Sequence, residues 1–223
     1  MATFPSPPPE QTSNITHFLP SEYGTDIEYF PHSAQERPHQ LKLQVRAFIK
    51  QNISRLKITY VVTGPYPELW MSPCPPDKNL GGFDVANKRA VLVEPEQKVS
   101  FTAMTDLGVL VVKASTHPVK ERVRALKVNS FTATPKEVLA EFEKQTGSKW
   151  EVKNVKLDEL RKEEEAAWAA SDPLATVFTL RRIWAEGGTI YEKRDNAEID
   201  GENVEGLSEA VRKAIEKQTG ARM

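Results

Sequence analysis

The chain has 223 residues, of which 39% are hydrophobic, so it is long and apolar enough to bury a core. Its 30 basic residues nearly balance 31 acidic ones, and no basic stripe is interleaved with aromatics, which argues against a nucleic-acid partner. The longest apolar runs, such as Val109 to Val112, are far too short to span a bilayer.

The amino-terminal region is polar and rich in proline. Residues 1–14 are predicted to form a flexible arm, since they cannot bury enough apolar surface to fold. They carry neither the positive charge nor the apolar stretch of a secretory signal. Cys74 is the only cysteine, which excludes an intrachain disulfide and zinc sites built from paired cysteines. We therefore expect a reducing, cytoplasmic location and no metal site.

The next segment predicts a βαβ unit. A short strand, His17 to Pro20, leads into an exposed loop, and a helix is expected from His39. The run Lys57 to Thr63 is dense in β-branched residues, which is typical of a strand buried on both faces in a parallel sheet. The helix should bury its apolar positions at helical spacing, which are Leu41, Val45, Phe48 and Ile49.

Further elements follow along the rest of the chain. The stretch Pro65 to Gly82 contains five prolines and is predicted to form a long loop over a cleft. Asp106 is expected to cap a helix over 107–115. Thr134, with proline next, is a strong helix start, and Gly147 should end that helix. The remaining predictions are strands over 90–93, 99–102, 125–131 and 151–155, and helices over 157–168, 177–185 and 207–218.

A glycine-rich dinucleotide turn is absent from the sequence. None of the 11 glycines has the G-x-G-x-x-G spacing that places helix amides on a pyrophosphate. Gly201 to Gly206 has the outer spacing of a phosphate loop, but Leu207 stands where the lysine is needed. Glu202 and Glu205 would also repel phosphate, so this stretch is predicted to be a solvated turn.

One run carries a family resemblance. The residues His17 to Asp26 resemble the Pro-Ser-Glu-Phe/Tyr-Gly motif of the NmrA-like and isoflavone-reductase-like proteins, which are atypical short-chain dehydrogenases. In that family a helix with a lysine follows the motif, matched here by Lys42 to Arg46. The strand at 58–63 and the run Val99 to Gly108 also resemble the family, and the resemblance covers roughly residues 15 to 185.

The resemblance implies an α/β fold, with a partial Rossmann-like parallel sheet merged with a smaller α/β substrate-binding region. Family members place several strands and the glycine-rich turn before the motif, whereas 16 residues precede His17 here. The chain is therefore expected to lack the glycine-rich first half. Residues 15–64 would hold the late Rossmann strands and 65–223 the substrate side, and the exposed sheet edge would favour self-association.

The resemblance also implies roles for individual residues. Lys42 would be the catalytic general acid or base, or would hold the substrate and the nicotinamide ribose. The alternative for Lys42 is a solvated lysine, and the equal alternative for Glu22 is a side chain that caps a helix or pairs with a nearby cation. His39 could polarise a carbonyl or lie at the surface. The motif would bind NADP through Pro20, Ser21, Glu22, Tyr23 and Gly24, and the loop after the next strand would bind substrate through Gly64, Tyr66 and Trp70.

Two functions follow from these observations. The first is an NADPH-dependent reductase of small aromatic or unsaturated substrates, with a small-molecule partner and no nucleic acid or membrane. The second is a non-catalytic NmrA-like regulatory or redox-sensing protein, or an inactive truncated paralogue. The sequence leaves the substrate, the choice between NADH and NADPH, and the oligomeric state open.

Overall fold

A computed structural model describes residues 13–28, 32–75 and 77–220, so the predicted arm lies almost wholly outside the described residues. The strands in these ranges are β1 (His17–Phe18), β2 (Lys57–Val62), β3 (Gly82–Asp84), β4 (Arg89–Val93), β5 (Val99–Phe101), β6 (Val123–Lys127), β7 (Phe131–Ala133) and β8 (Glu151–Val155). The helices are α1 (Gln40–Asn52), α2 (Pro67–Trp70), α3 (Met104–Thr116), α4 (Pro135–Thr146), α5 (Leu157–Ala169), α6 (Ala175–Ala185) and α7 (Leu207–Thr219).

A parallel sheet in the order β1-β2-β6 organises the first part of the chain. His17 pairs with Lys57 and Ile58 with Val123, so β2 is the central strand. All of β2 after Lys57 is buried, as its β-branched sequence predicts. Because α1 connects two parallel neighbours, the predicted βαβ unit is confirmed, and with it the α/β class with a partial Rossmann-like sheet.

Two smaller sheets carry the remaining strands. β3 pairs antiparallel with β4, which pairs parallel with β8, while β5 and β7 form an antiparallel pair. The largest apolar cluster lies around aromatic rings, with Phe83 stacked on Phe142 at 4.8 Å between centroids. Trp70 belongs to the same cluster, with its ring 5.0 Å from that of Phe101. Packing in this core cluster therefore holds the Trp70 side chain in place.

The start and end of α4 are confirmed. Thr134 and Glu137 form a capping box, in which each side chain accepts a hydrogen bond from the backbone amide of the other. Gly147 adopts the left-handed conformation that ends the helix. The predicted helices 157–168, 177–185 and 207–218 and the strand 151–155 are also present, with ends that differ by no more than two residues.

The predicted buried face of α1 is wrong except at Ile49, which is buried. Leu41 is 75% exposed, and Val45 and Phe48 are also exposed. The stripe that faces the sheet instead comprises Lys42, Arg46, Ile49 and Ile53 at helical spacing, so cations fill its first half. The physical reason is non-local, because Arg46 finds a buried carboxylate partner on the loop after β1.

Other local predictions also fail for non-local reasons. Helix α3 begins at Met104, so Asp106 lies in its first turn and is not its cap. The Asp106 carboxylate accepts hydrogen bonds from Ser130 Oγ at 2.5 Å and from the Glu205 amide at 2.9 Å. The predicted strand 125–131 is two strands, because the chain turns at Asn129, whose side-chain Nδ2 donates to Ser100 Oγ at 2.6 Å.

Residues 201–206 are solvated only in part, since Glu202, Asn203 and Gly206 are exposed as predicted. Gly201 is buried, and the Glu205 side chain is only 7% exposed and pairs with Lys213. The predicted loop 65–82 contains α2, and strand β3 was not predicted from the sequence. Within the described residues no helix has both the length and the apolar character needed to cross a membrane. Self-association through the free edge of β1 stays a prediction.

Candidate active site

A cavity of about 420 Å³ opens where β1 and β2 end. The loop after β1, the start of α1, the loop after β2 and one side of α6 line it. Ligands of open α/β sheets bind beyond the carboxyl ends of parallel strands, so this is the expected position for a site. Among the described lining residues there is no aspartate or glutamate, whereas Lys42 and Arg181 supply positive charge.

The motif loop is fastened to the end of β2 by backbone hydrogen bonds. The Tyr23 amide donates to the Val61 carbonyl at 3.0 Å, and the amides of Thr63 and Gly64 both donate to the Gly24 carbonyl at 3.0 Å. Gly64 has a φ of +67°, and a Cβ there would lie 2.6 Å from the Ser100 carbonyl oxygen. Only glycine fits this position, which brings the two loops together.

Lys42 enters the cavity from the first turn of α1. Its Nζ donates a hydrogen bond to the backbone carbonyl of Glu22, which fixes the amine beside the motif. Burial lowers the pKa of Lys42 below its ordinary value, the Glu22 carboxylate partly opposes this, and the charge of Arg46 adds to it. The amine is therefore held in place and gives up its proton more readily than a solvated lysine.

The Glu22 carboxylate points away from the cavity, to Arg46. Arg46 Nε donates to Glu22 Oε1 at 2.9 Å and Nη2 to Oε2 at 3.1 Å, and both side chains are less than 10% exposed. The guanidinium also contacts Glu28 at 2.5 Å and lies 4.4 Å from the ring centroid of Tyr60. This buried two-point pair locks α1 to the motif loop and so positions Lys42.

The opposite side of the cavity is aromatic. Tyr66 Oη donates to the Tyr23 carbonyl at 2.5 Å, and Trp184 Nε1 donates to Thr25 Oγ1 at 3.1 Å. Arg181 Nη2 donates to the Trp70 carbonyl at 2.7 Å. The first two bonds tie the loop after β2 and α6 to the motif loop, and the third ties α6 to α2, so the aromatic rings have defined places.

His39 is buried beside Lys42, so the alternative of a surface histidine is wrong. Its Nδ1 lies 2.7 Å from the Ser33 carbonyl, an acceptor, so Nδ1 carries a proton and Nε2 is the acceptor of the neutral ring. Burial lowers the pKa of His39, with smaller effects from the hydrogen bond to Ser33 and from nearby charges. The neutral form of the buried His39 ring is thereby favoured.

Six of the nine residues proposed from the sequence line the cavity, and they are Tyr23, Gly24, Lys42, Gly64, Tyr66 and Trp70. Pro20, Ser21 and Glu22 do not line it. Sequence reasoning missed a second group of lining residues, which are Thr25, Leu69, Val177, Leu180, Arg181 and Trp184. Helical spacing places the last four on one side of α6, and an arginine on an otherwise apolar side was the available signal.

The lowered pKa of Lys42 makes a prediction about pH. Between that lowered pKa and the ordinary value of 10.5, the folded chain binds fewer protons than the unfolded chain. Stability therefore rises with pH across this window as the buried charge is lost. In a lysine ¹³Cε NMR titration, the resonance that disappears in Lys42→Arg should have a midpoint below 10.5. A midpoint at or above 10.5 would contradict the described burial.

Within the described ranges of the chain, no group of three or more histidine, cysteine, aspartate or glutamate side chains is placed to hold a metal ion.

The sequence matches the model of a protein family, the NmrA-like family, over residues 11–178. The chain is also 29% identical over 154 residues to the oxidoreductase aprR of Aspergillus flavus, a match that covers 67% of this chain and 50% of that protein. The chain thus spans about half the length of this curated relative.

Solved structures share the fold at low identity. An isoflavone reductase superposes with a TM-score of 0.66 and 17% identity, covering 90% of this chain and 66% of that one. A complex of leucoanthocyanidin reductase with NADPH from Vitis vinifera has a TM-score of 0.62 and 18% identity, covering 89% and 68%. At this identity the similarity establishes the fold alone. The solved structures that share this fold include a reductase in complex with NADPH.

Proposed function

Because the chain belongs to the NmrA-like family, we propose that it serves in NADPH-dependent reduction of small aromatic or unsaturated molecules, with Lys42 as the catalytic general acid. The observation that carries the proposal is the position of the Lys42 amine. It is fixed on the Glu22 carbonyl, its pKa is lowered by burial, and it faces a cavity with aromatic walls at the ends of parallel strands.

The residues present fit the nicotinamide end of the cofactor. A Cβ on Gly24 would lie 3.7 Å from Lys42 Nζ, so this glycine keeps the space beside the amine open. No carboxylate lines the described cavity, so the wall does not repel phosphates. Tyr23, Gly24 and Lys42 would hold the nicotinamide, which when bound supplies the hydride. The proposed contributions of Pro20, Ser21 and Glu22 would then be made through the shape of the loop.

The substrate side of the site falls to the second part of the chain. Gly64, Tyr66 and Trp70 would hold a flat substrate, since two aromatic side chains offer wide faces fixed by hydrogen bonds and core packing. Lys42 Nζ would then donate a proton to the reduced substrate and be reprotonated from solvent. In this account residues 15–64 supply the cofactor side, apart from Gly64 at its boundary, and residues 65–223 supply the substrate side.

The test is NADPH oxidation by the purified chain, followed through the absorbance of reduced nicotinamide with a panel of small quinones and isoflavones. We expect oxidation that depends on both the chain and the substrate. NADPH binding without oxidation of any probe would favour the alternative, a regulatory or redox-sensing protein. Neither binding nor oxidation would exclude the reductase activity for this chain.

A further inference from the structure

Arg181 is a buried cation on the side of α6 that lines the cavity. The residue is 8% exposed, and its guanidinium carbon lies 5.0 Å from the ring centroid of Trp70 and 5.7 Å from that of Trp184. Among the described residues, Nη2 alone of its nitrogens donates a hydrogen bond, to the Trp70 carbonyl, and the buried Nε has no partner. The group lies between the cavity and a small second pocket beside Gly81, and most of its N–H donors lack an acceptor among the residues that the structure describes.

No described carboxylate balances this charge. Cys74 is the one titratable group in the described ranges whose charge acts on Arg181, and burial raises the pKa of that thiol, so it stays neutral. Burial lowers the pKa of Arg181 to about 10, which leaves the guanidinium charged at neutral pH. A buried charge without a counter-ion is unfavourable, and an anion bound in the cavity would remove that cost.

The neighbours of Arg181 define the rest of the ligand. Val177, Leu180 and Trp184 flank it on the same side of α6, and Trp70 lies across from them. These groups favour an apolar, flat body next to the cation and disfavour a strongly hydrated phosphate. We propose that Arg181 makes this cavity selective for flat aromatic or unsaturated carboxylic acids, with the guanidinium binding the carboxylate. The inference rests on the proposed function, because it names the substrate class of the same site.

The test compares one acid with its neutral ester. Isothermal titration of the wild-type chain with 4-hydroxycinnamate and with its methyl ester should show the acid binding about tenfold more tightly, because charge-assisted hydrogen bonds are made only to the carboxylate. Arg181→Met, which keeps a similar volume, should bind the acid no better than the ester. Lys50→Met, which removes an exposed lysine of α1 that does not line the cavity, is the control and should keep the preference.

Each alternative outcome contradicts the proposal. Equal binding of acid and ester by the wild-type chain would overturn it without any variant. A preference that survives in Arg181→Met would assign the carboxylate to another group. A purely structural arginine predicts that Arg181→Met lowers the thermal unfolding temperature while acid and ester bind alike to both proteins. We expect instead that the unfolding temperature is maintained or rises, because a buried charge without a counter-ion has been removed.

The titration contains no nicotinamide cofactor, so its result is independent of turnover. A chain that fails to oxidise NADPH but prefers the acid would retain the inference and lose the proposed activity. A chain that oxidises NADPH but shows no preference would retain the activity and lose the inference. Adding NADP⁺ separates the two anion sources, because a cofactor phosphate on Arg181 would compete with the acid, whereas a neighbouring cofactor would not.

Discussion

Lys42→Met is expected to lower kcat for NADPH-dependent reduction by about 100-fold or more, with much smaller effects on substrate KM. The amine is the group that the structure fixes in the cavity with a lowered pKa, and methionine has a similar volume without a proton to donate. Because the substitution removes a partly buried charge and keeps a similar side-chain volume, we expect the fold to stay intact. Circular dichroism and thermal unfolding would verify this. Steady-state kinetics of the purified variant provide the measurement.

Two further variants make this result specific. Lys50→Met changes an exposed lysine on the same helix and should leave kcat unchanged. Lys42→Arg keeps the charge but holds its proton far more tightly, so its kcat should also stay low while its substrate KM stays close to that of the wild type. If Lys42→Met retained kcat within about twofold, the proton would come from another group, of which the Tyr66 hydroxyl also lines the cavity.

Glu22→Gln should destabilise the fold by about 3 kcal/mol. The substitution removes the charge of the carboxylate that takes two hydrogen bonds from the buried Arg46, which leaves the guanidinium only partly compensated, by Glu28 and by Asp26 at 3.8 Å. The remaining contact with Glu28 keeps the loss at the lower end of that range. Urea unfolding at neutral pH measures the change.

The effect on stability should separate from the effect on turnover. Glu22→Gln retains the backbone carbonyl that accepts from Lys42, so below the unfolding transition kcat should fall far less than in Lys42→Met. The double variant Glu22→Gln with Arg46→Met should be less destabilised than the sum of the single variants. Glu96→Gln, in an exposed pair with Lys136, is the control and should leave the midpoint unchanged. A Glu22→Gln midpoint equal to wild type would show that the pair does not lock α1.

Elements with local signals were predictable from the sequence. The β-branched run of β2 and the threonine, proline and glutamate at the start of α4 involve residues close in the chain, so composition and spacing suffice. The motif at 20–24 and Lys42 were identified by resemblance, and the structure brings Tyr23, Gly24 and Lys42 to one cavity. Their roles in binding and catalysis stay predictions.

Features that depend on distant partners were not predictable. Arg46 is buried because Glu22, 24 residues earlier, receives its guanidinium, and no periodicity of apolar residues indicates that. Asp106 serves Ser130 and the Glu205 amide and so is not a cap. In the sequence, Arg181 is one polar residue of a predicted helix. Its burial in the cavity wall could not be predicted, because it depends on contact with Trp70, 111 residues earlier.

The central claim is that the cavity holds a nicotinamide beside Lys42, and titration of the chain with NADPH tests it most directly. Trp70 and Trp184 line the cavity, so excitation of tryptophan should be transferred to a bound reduced nicotinamide and appear as its emission. We predict a saturable signal below millimolar NADPH that excess NADP⁺ reverses. No binding up to millimolar cofactor would contradict the claim.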